Sequence, residues 1–250
     1  MQIDIIATAI LLSAFFAALA DTAMGMGYGT ILTPILIIFG YPPHIAVPAV
    51  LLSQLVVVII GSAAHTHVKN FTAKDVENAL LMSVPATVLV AMGAFLNVKT
   101  PGRITEIYIG ALVLFLGFVM MSNIRVKKTR RRMLFVSGLG GLNKGFMGGG
   151  LGPILVSGQV VLNHDLRSSV AIADISAIPV CAIGLLSFLA LGTLYVSTIF
   201  LLVTLPALVA AIIGPHLTAA MARKEKSEKI IGVVAIGLGA LALIKVLFCT

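Results

Sequence analysis

Two glycine-rich stretches decide the fold that we expect. The first reads Ala-Met-Gly-Met-Gly-Tyr-Gly-Thr-Ile-Leu-Thr-Pro at Ala23–Pro34, and the second reads Lys-Gly-Phe-Met-Gly-Gly-Gly-Leu-Gly-Pro at Lys144–Pro153. Each leads into an apolar segment too short to cross a bilayer alone, Tyr28–Phe39 and Leu151–Leu162. Short, glycine-interrupted segments at matching places in two halves are typical of broken or re-entrant helices at a transport site. Tilted or buried short helices are the alternative.

The composition around these stretches excludes a water-soluble domain. Hydrophobic residues make up 59% of the 250 residues and charged residues 10%, whereas soluble domains are about half apolar and about a quarter charged. Long apolar runs with few charges are typical of helical membrane proteins, and the short alternating strands of an outer-membrane barrel are not seen. We therefore expect an all-α integral membrane protein.

Polar, glycine and proline breaks divide the sequence into ten apolar segments. The last three segments of each half, together with Ile3–Ala20, are close to the roughly 20 residues that span a bilayer as a helix. Met133–Leu142 and the two short segments named above are too short to span alone. The ten segments are Ile3–Ala20, Tyr28–Phe39, Ile45–Ala64, Val76–Leu96, Ile104–Met121, Met133–Leu142, Leu151–Leu162, Ser168–Leu191, Ser197–Met221 and Ile230–Phe248.

The two halves of the chain match at a nearly constant offset. A shift of 123 residues aligns Gly27 with Gly150 and Gly29 with Gly152. Shifts of 121 and 122 align further glycines and prolines in the later segments. Apolar sequences often match by chance, but glycines and prolines in register across five segments indicate an internal repeat.

The repeat and the charges together predict the topology. Residues 1–122 form a first membrane repeat, residues 123–132 a basic cytoplasmic connector and residues 133–250 a second repeat. If each half holds a short pair that returns to its starting side and then three crossings, the second half is inverted relative to the first. Thirteen lysines and arginines then lie inside and two, Lys99 and Arg103, outside, as the positive-inside rule favours. We expect two inverted repeats of five helical segments each, short central helices, and both chain ends outside.

These features resemble one known family. The twin glycine clusters, the chain length, the basic connector and the Pro-Pro-His stretch at residues 42–44 resemble the sulfite exporter TauE/SafE (TSUP) family. The resemblance implies a bacterial or archaeal cytoplasmic-membrane transporter that exports sulfite, sulfonates or related small anions. The second half departs from the family pattern at Asn143-Lys144, and at Ser157 to Gln159 where the first half has Pro34. This departure bears on the substrate more than on the fold.

The glycine clusters are candidate anion-binding positions. A helix that begins at membrane depth presents free N–H groups and the positive end of its dipole. Glycines let the backbone approach a ligand, so two facing termini could hold an anion. For any single glycine, close helix packing is the alternative role. The candidates are Gly25, Gly27, Gly29, Gly149, Gly150 and Gly152.

Lys144 is the leading candidate for a charged contact with the substrate. A cation inside the bilayer costs about 2.5–3.5 kcal/mol on insertion scales, so it should face a cavity or a partner. Asp21 occupies the equivalent position of the first half, 123 residues earlier. Substrate contact and a structural Asp21–Lys144 pair therefore stand as equal alternatives.

Further polar residues within the apolar segments complete the candidate set. Asp21 and Asp174 are candidate proton-coupling residues, since carboxylates inside the membrane carry protons in many transporters; a structural role beside Ser, Thr or Arg is the alternative. His65 and His67 are interpreted as interfacial, and no metal site is expected. Neutral donors orient an oxyanion without holding it too tightly to leave. For each such group, a hydrogen bond between helices is the alternative role. These groups are Ser53, Gln54, Asn143, Ser157 and Gln159.

A secondary anion transporter in the cytoplasmic membrane is the leading prediction. A passive anion channel would use the same two facing helix ends to hold the anion, but it would not need a protonatable group. A membrane-embedded enzyme would show a nucleophile–base pair or a metal cluster, and the sequence displays neither. The expected partners are a small anionic substrate and membrane lipid, with no nucleic acid, cofactor or metal. A homodimer is an open alternative.

Overall fold

The structure is a computed structural model. It describes residues 2–25, 27–70, 72–122, 129–160, 166–194, 198–220 and 225–248. Within these ranges the chain forms ten α-helices and no strand, and the helices follow the predicted apolar segments in order. They are α1 (Gln2–Met24), α2 (Tyr28–Ile38), α3 (Pro43–His67), α4 (Ala73–Lys99), α5 (Gly102–Met121), α6 (Arg130–Met147), α7 (Leu151–Val160), α8 (Leu166–Ala190), α9 (Thr198–Ala220) and α10 (Glu225–Phe248).

Six of the helices are long and apolar enough to cross a membrane, counted over the described residues: α1, α3, α4, α5, α8 and α9. Many of their large apolar side chains point outward, among them Phe16, Val88 and Leu205. An outer surface of this kind suits lipid rather than water. The prediction of an all-α, multi-pass integral membrane protein is confirmed. Helices α2 and α7, with 11 and 10 residues, are short, as predicted.

The helix that contains Met133–Leu142 is longer than this apolar segment, although it is not one of the six helices long and apolar enough to cross a membrane. Helix α6 runs over 18 residues, from Arg130 to Met147, which corresponds to about 27 Å of helix. The side chain of Thr129 caps its first turn at 3.4 Å, and Gly148, with φ 79°, ends it in the left-handed conformation. Lys144 therefore sits in the last turn of a helix and not in the glycine-rich loop.

Helices from the two halves of the chain interleave. Helix α1 packs on α9 and α6 packs on α4, while α3 contacts both α8 and α9. Helix α8 likewise contacts α4, and α5 pairs with α10. If α1–α5 are exchanged for α6–α10, the α1–α9 contact maps onto α6–α4 and the α3–α9 contact onto α8–α4. Equivalent helices thus make equivalent contacts, whereas the inverted orientation and the limits of the repeats stay predictions.

Glycines bring α4 and α6 into backbone contact on both sides of Lys144. A Cβ atom on Gly141 would overlap the carbonyl oxygen of Ala86, and one on Gly145 would overlap that of Val90. Small residues spaced by one helical turn let membrane helices approach closely. Because this crossing leaves no room for rotation of α6, it fixes the direction in which Lys144 points.

The topology prediction can be tested by labelling single cysteines in a cysteine-free background. We expect Lys99→Cys to react with a membrane-impermeant maleimide in intact cells, because Lys99 is exposed at the end of α4, which the positive-inside rule places outside. Lys69→Cys and Arg125→Cys should react only after lysis; Arg125 lies outside the residues that the structure describes. Epitope tags at both chain ends should be accessible from outside. Tags that are both cytoplasmic would contradict the inverted arrangement.

Candidate functional site

The two glycine clusters lie directly against each other where α2 and α7 begin. A Cβ atom on Gly29 would overlap the carbonyl oxygen of Gly148. In the reciprocal contact, a Cβ atom on Gly152 would lie 2.9 Å from the carbonyl oxygen of Gly25. The 123-residue offset relates the two contacts, since it aligns Gly25 with Gly148 and Gly29 with Gly152. The N-terminal ends of the two short helices therefore meet backbone to backbone.

The turns that lead into α2 and α7 follow the same path and require glycine. Gly25 and Gly27 have φ angles of 68° and 81°, and Gly148 and Gly150 have φ angles of 79° and 92°. Residues with a Cβ atom rarely adopt these left-handed angles. The Gly150 N–H also donates to Thr30 Oγ1 at 3.0 Å, which joins the two helix ends by a hydrogen bond. Backbone conformation and close packing thus account for these glycines before any ligand is considered.

A carboxylate of the protein already occupies the N-terminal end of α2. Asp21 in α1 is only 2% exposed. Its Oδ1 accepts the Gly27 N–H at 2.8 Å, and its Oδ2 accepts the Gln54 Nε2 amide at 2.9 Å. The helix dipole stabilises negative charge at this position. Asp21 therefore makes the kind of contact that is expected of a substrate anion.

Lys144 reaches the same carboxylate through a glutamine side chain. Its Nζ, on a residue only 1% exposed, donates to Oε1 of Gln54. The other end of that amide donates to Asp21, and the charges of Lys144 and Asp21 attract each other across it. Gln54 of α3 thus links α6 to α1. A charge at this depth needs such a partner, because its burial without one is costly.

The other polar candidates lie away from this network. Asn143 accepts a hydrogen bond from the hydroxyl of Tyr108, and its Cβ is 3.2 Å from the place that a Cβ on Gly150 would take. Gln159 follows Leu151 by eight residues, which places it about 12 Å along α7 from the glycines. The side chain of Ser157 is outside the described part of the chain.

Gln159 lies at a cavity between the starts of α4 and α6. The cavity has a volume of about 500 Å³, and Glu77 and Arg130 supply charged groups to its lining. Gln159 Nε2 is 3.8 Å from the sulfur of Met82, and its Oε1 has no hydrogen-bond partner among the described residues. Helix α7 therefore has the glycine clusters at its start and a cavity with two charged lining residues at its other end.

A second buried polar cluster joins α1, α3 and α8. The interfacial interpretation is wrong for His65, whose side chain is 0% exposed. Its Nε2 lies 3.2 Å from the Thr22 carbonyl oxygen and 3.7 Å from Oδ2 of Asp174. His67 is exposed, because residues two apart point to different sides of a helix. Over the described residues, no group of three or more His, Cys, Asp or Glu side chains is placed to hold a metal ion.

These features define a class of protein: a multi-pass helical membrane protein with two short helices and paired charges buried between its halves, the construction of a membrane transporter. The chain belongs to the sulfite exporter TauE/SafE family, which it matches over residues 10–243. The resemblance drawn from the sequence is thereby confirmed.

One curated relative supports the same class. The chain is 25% identical over 147 residues to the "Probable membrane transporter protein YtnM" of Bacillus subtilis (strain 168). The match covers 54% of this chain and 48% of that protein, so the chain spans about half the length of this relative. No solved structure matches the chain.

Proposed function

We propose that the protein is a secondary transporter that exports a small anion, such as sulfite, a sulfonate or a related organic anion, across the cytoplasmic membrane. The observation that carries this proposal is the position of Lys144, buried and linked by Gln54 to the N-terminal end of α2. A buried cation and a helix N-terminus both favour an anion. The description of the family as sulfite exporters supports an anion of this kind.

In the proposed mechanism, the substrate takes the place of Asp21. An oxyanion offers the same acceptor oxygens as a carboxylate. It can therefore accept a hydrogen bond from the Gly27 N–H and be attracted by the charge of Lys144. Exchange of one anion for another keeps the buried cation of Lys144 paired while the substrate is bound. When the substrate leaves, Asp21 returns to the hydrogen bonds that the structure shows.

This exchange predicts opposite effects for two substitutions near the same site. In Asp21→Asn, Lys144 loses its anionic partner and no carboxylate competes with the substrate. We expect anion binding to become at least about tenfold tighter, equal to about 1.4 kcal/mol. Purified protein would be screened by thermal shift against sulfite, sulfate, thiosulfate, small sulfonates and small carboxylates, since a ligand of the folded state raises the Tm.

The wild-type protein should show a Tm increase with at least one of these anions, and Asp21→Asn should show it at lower anion concentration. Lys245→Gln is the matched control, because Lys245 is a partly buried lysine that donates to the Ile37 carbonyl oxygen of α2. We expect it to bind the anion as the wild type does. If no anion shifts the wild-type Tm, the proposed substrate class is wrong. Weaker binding in Asp21→Asn would contradict the exchange.

A further inference from the structure

Asp174 is a buried acid with an unsatisfied oxygen. It lies in α8 and is only 3% exposed, and its Oδ2 has no hydrogen-bond partner among the described residues. A side chain on Gly61 of α3 would crowd this oxygen, since a Cβ there would lie 3.0 Å away. A carboxylate oxygen that is buried without a donor is costly while charged, and a bound proton removes that charge.

The basic group beside this oxygen is His65. Its Nε2 lies 3.7 Å from Asp174 Oδ2, which is an ion-pair distance and too long for a hydrogen bond. One proton can therefore sit either on Asp174 or on the imidazole, and the total charge of the two side chains is the same in both cases. In the first case both side chains are neutral, and in the second they form an imidazolium–carboxylate pair.

The surroundings of His65 hold its ring in one tautomer. Asn70 donates from Nδ2 to the Pro215 carbonyl oxygen at 3.1 Å, and the same nitrogen is 2.8 Å from His65 Nδ1. Because a carbonyl only accepts, the amide group of Asn70 must face the ring with its N–H, so Nδ1 is an acceptor. The ring hydrogen then sits on Nε2, where it faces the Thr22 carbonyl oxygen at 3.2 Å.

A change of this tautomer would alter a contact between Asn70 and α9. For Nε2 to accept the proton of Asp174, the ring hydrogen must move to Nδ1 and meet Oδ1 of Asn70. That oxygen has no hydrogen-bond partner among the described residues. Asn70 would have to turn its amide and release Pro215, which lies inside α9. Proton position and the contact between Asn70 and α9 are therefore linked.

Charged groups on the neighbouring helices connect this pair to the proposed anion site. Asp21 of α1 and Lys144 of α6 both act electrostatically on Asp174, and Cys181 is a buried thiol on the same helix as Asp174. From α9, the carbonyl oxygen of Pro215 faces this cluster through Asn70, and the neutral hydroxyl of Thr218 donates to the Thr22 carbonyl oxygen. An anion that takes up the charge of Lys144 leaves Asp174 with less positive charge nearby, so the anion and a proton should bind together.

We propose that His65 and Asp174 form a proton-binding site that loads together with the transported anion. The coupling to an anion rests on the proposed function, whereas the proton site itself can be measured without any substrate.

The experiment is an infrared pH titration of the purified full-length protein, in which a protonated carboxyl group gives its own band. We expect Asp174→Asn to remove one titrating carboxyl band. His65→Gln should shift the midpoint of that band by about one pH unit or more, because it replaces the titratable neighbour. His67→Gln makes the same change two residues away on an exposed side chain and should leave the titration as in the wild type.

An unchanged set of bands in Asp174→Asn, or an unchanged midpoint in His65→Gln, would overturn the proposal. If Asp174→Asn does not fold, Asp174→Glu is the substitute variant, since it keeps a carboxyl group one methylene further out. It should shift both the carboxyl band and the midpoint of its titration. If neither shifts, the proposal is overturned in the same way. These outcomes do not depend on whether any anion binds.

Coupling is measured with methanesulfonate, whose charge is constant over the titration range. We expect the wild type to bind it more tightly as the pH falls through the midpoint of the Asp174 band, and Asp174→Asn to lose this dependence. Binding that ignores pH in the wild type would overturn the coupling. A complete lack of binding by every anion tested would count against the proposed function and leave the infrared result standing.

Discussion

Replacing Lys144 by glutamine is expected to lower the free energy of unfolding by about 3 kcal/mol, because it leaves the buried carboxylate of Asp21 without its cation. The Gln54 oxygen also loses its donor. Anion binding should disappear in the same variant, since the attractive charge at the end of α2 is gone. Thermal unfolding in detergent, with and without the anion that shifts the wild-type Tm, measures both effects.

A double-mutant cycle separates the two roles of Lys144. If Asp21 and Lys144 stabilise each other through Gln54, the combined Asp21→Asn, Lys144→Gln protein should recover about 2 kcal/mol relative to the sum of the single changes. The control cycle pairs Asp21→Asn with Lys245→Gln, whose lysine donates to a neutral carbonyl group, and should give additive costs. Additive costs for Lys144 as well would show that the pair does not exist. Normal anion affinity in a stable Lys144→Gln protein would remove Lys144 from the substrate site.

A single added methyl group at Gly29 should have an effect of similar size. In Gly29→Ala, the new Cβ would overlap the carbonyl oxygen of Gly148 and lie 3.0 Å from Cα of Gly149. Both are backbone atoms, which cannot rotate aside as a side chain can. We expect a cost of about 3 kcal/mol or more and a separation of the two helix ends that abolishes anion binding. Unfolding and anion binding are again measured by thermal shift.

The control for this change is Gly237→Ala in α10, where the new Cβ would meet no neighbouring helix within 4 Å. We expect it to be neutral, or stabilising by about 0.5–1 kcal/mol, because alanine suits a helix better than glycine. Gly152→Ala is a milder variant, with its Cβ 2.9 Å from the carbonyl oxygen of Gly25. It should fold and bind the anion more weakly. Unchanged affinity in folded Gly152→Ala would mean that these glycines serve packing alone.

The order and type of the helices could be predicted from the sequence because each apolar run ends at a polar, glycine or proline break. Helices α2 and α7 were correctly expected to be short for this reason. The length of α6 was underestimated because Asn143 and Lys144 interrupt the apolar run, although they continue the helix to Gly148. Hydropathy marks the apolar part of a helix, whereas the helix itself continues until its backbone is capped.

The repeat indicates only part of the candidate site, and Gln54 could be predicted only as a polar residue within an apolar segment. The offset of 123 residues paired Asp21 with Lys144, and the structure brings both to one glutamine. Gln54 has no such signal, since its counterpart in the second half is Ala177. His65 was misjudged because its position at a segment end says nothing about which face of α3 is covered. Asn70 and α8 cover this face. The local hydropathy of the sequence does not show such contacts with other parts of the chain.

The Asp21–Gln54–Lys144 arrangement also determines how membrane voltage can act on transport. One carboxylate and one ammonium group cancel, so voltage does little work on these residues when the empty site moves. A bound monovalent anion adds one negative charge, on which about 2.3 kcal/mol acts per 100 mV, and an inside-negative membrane drives that charge outward. If a proton travels with the anion, the charge cancels again. Under the proposed function, the dependence of flux on voltage therefore reports how many protons accompany each anion.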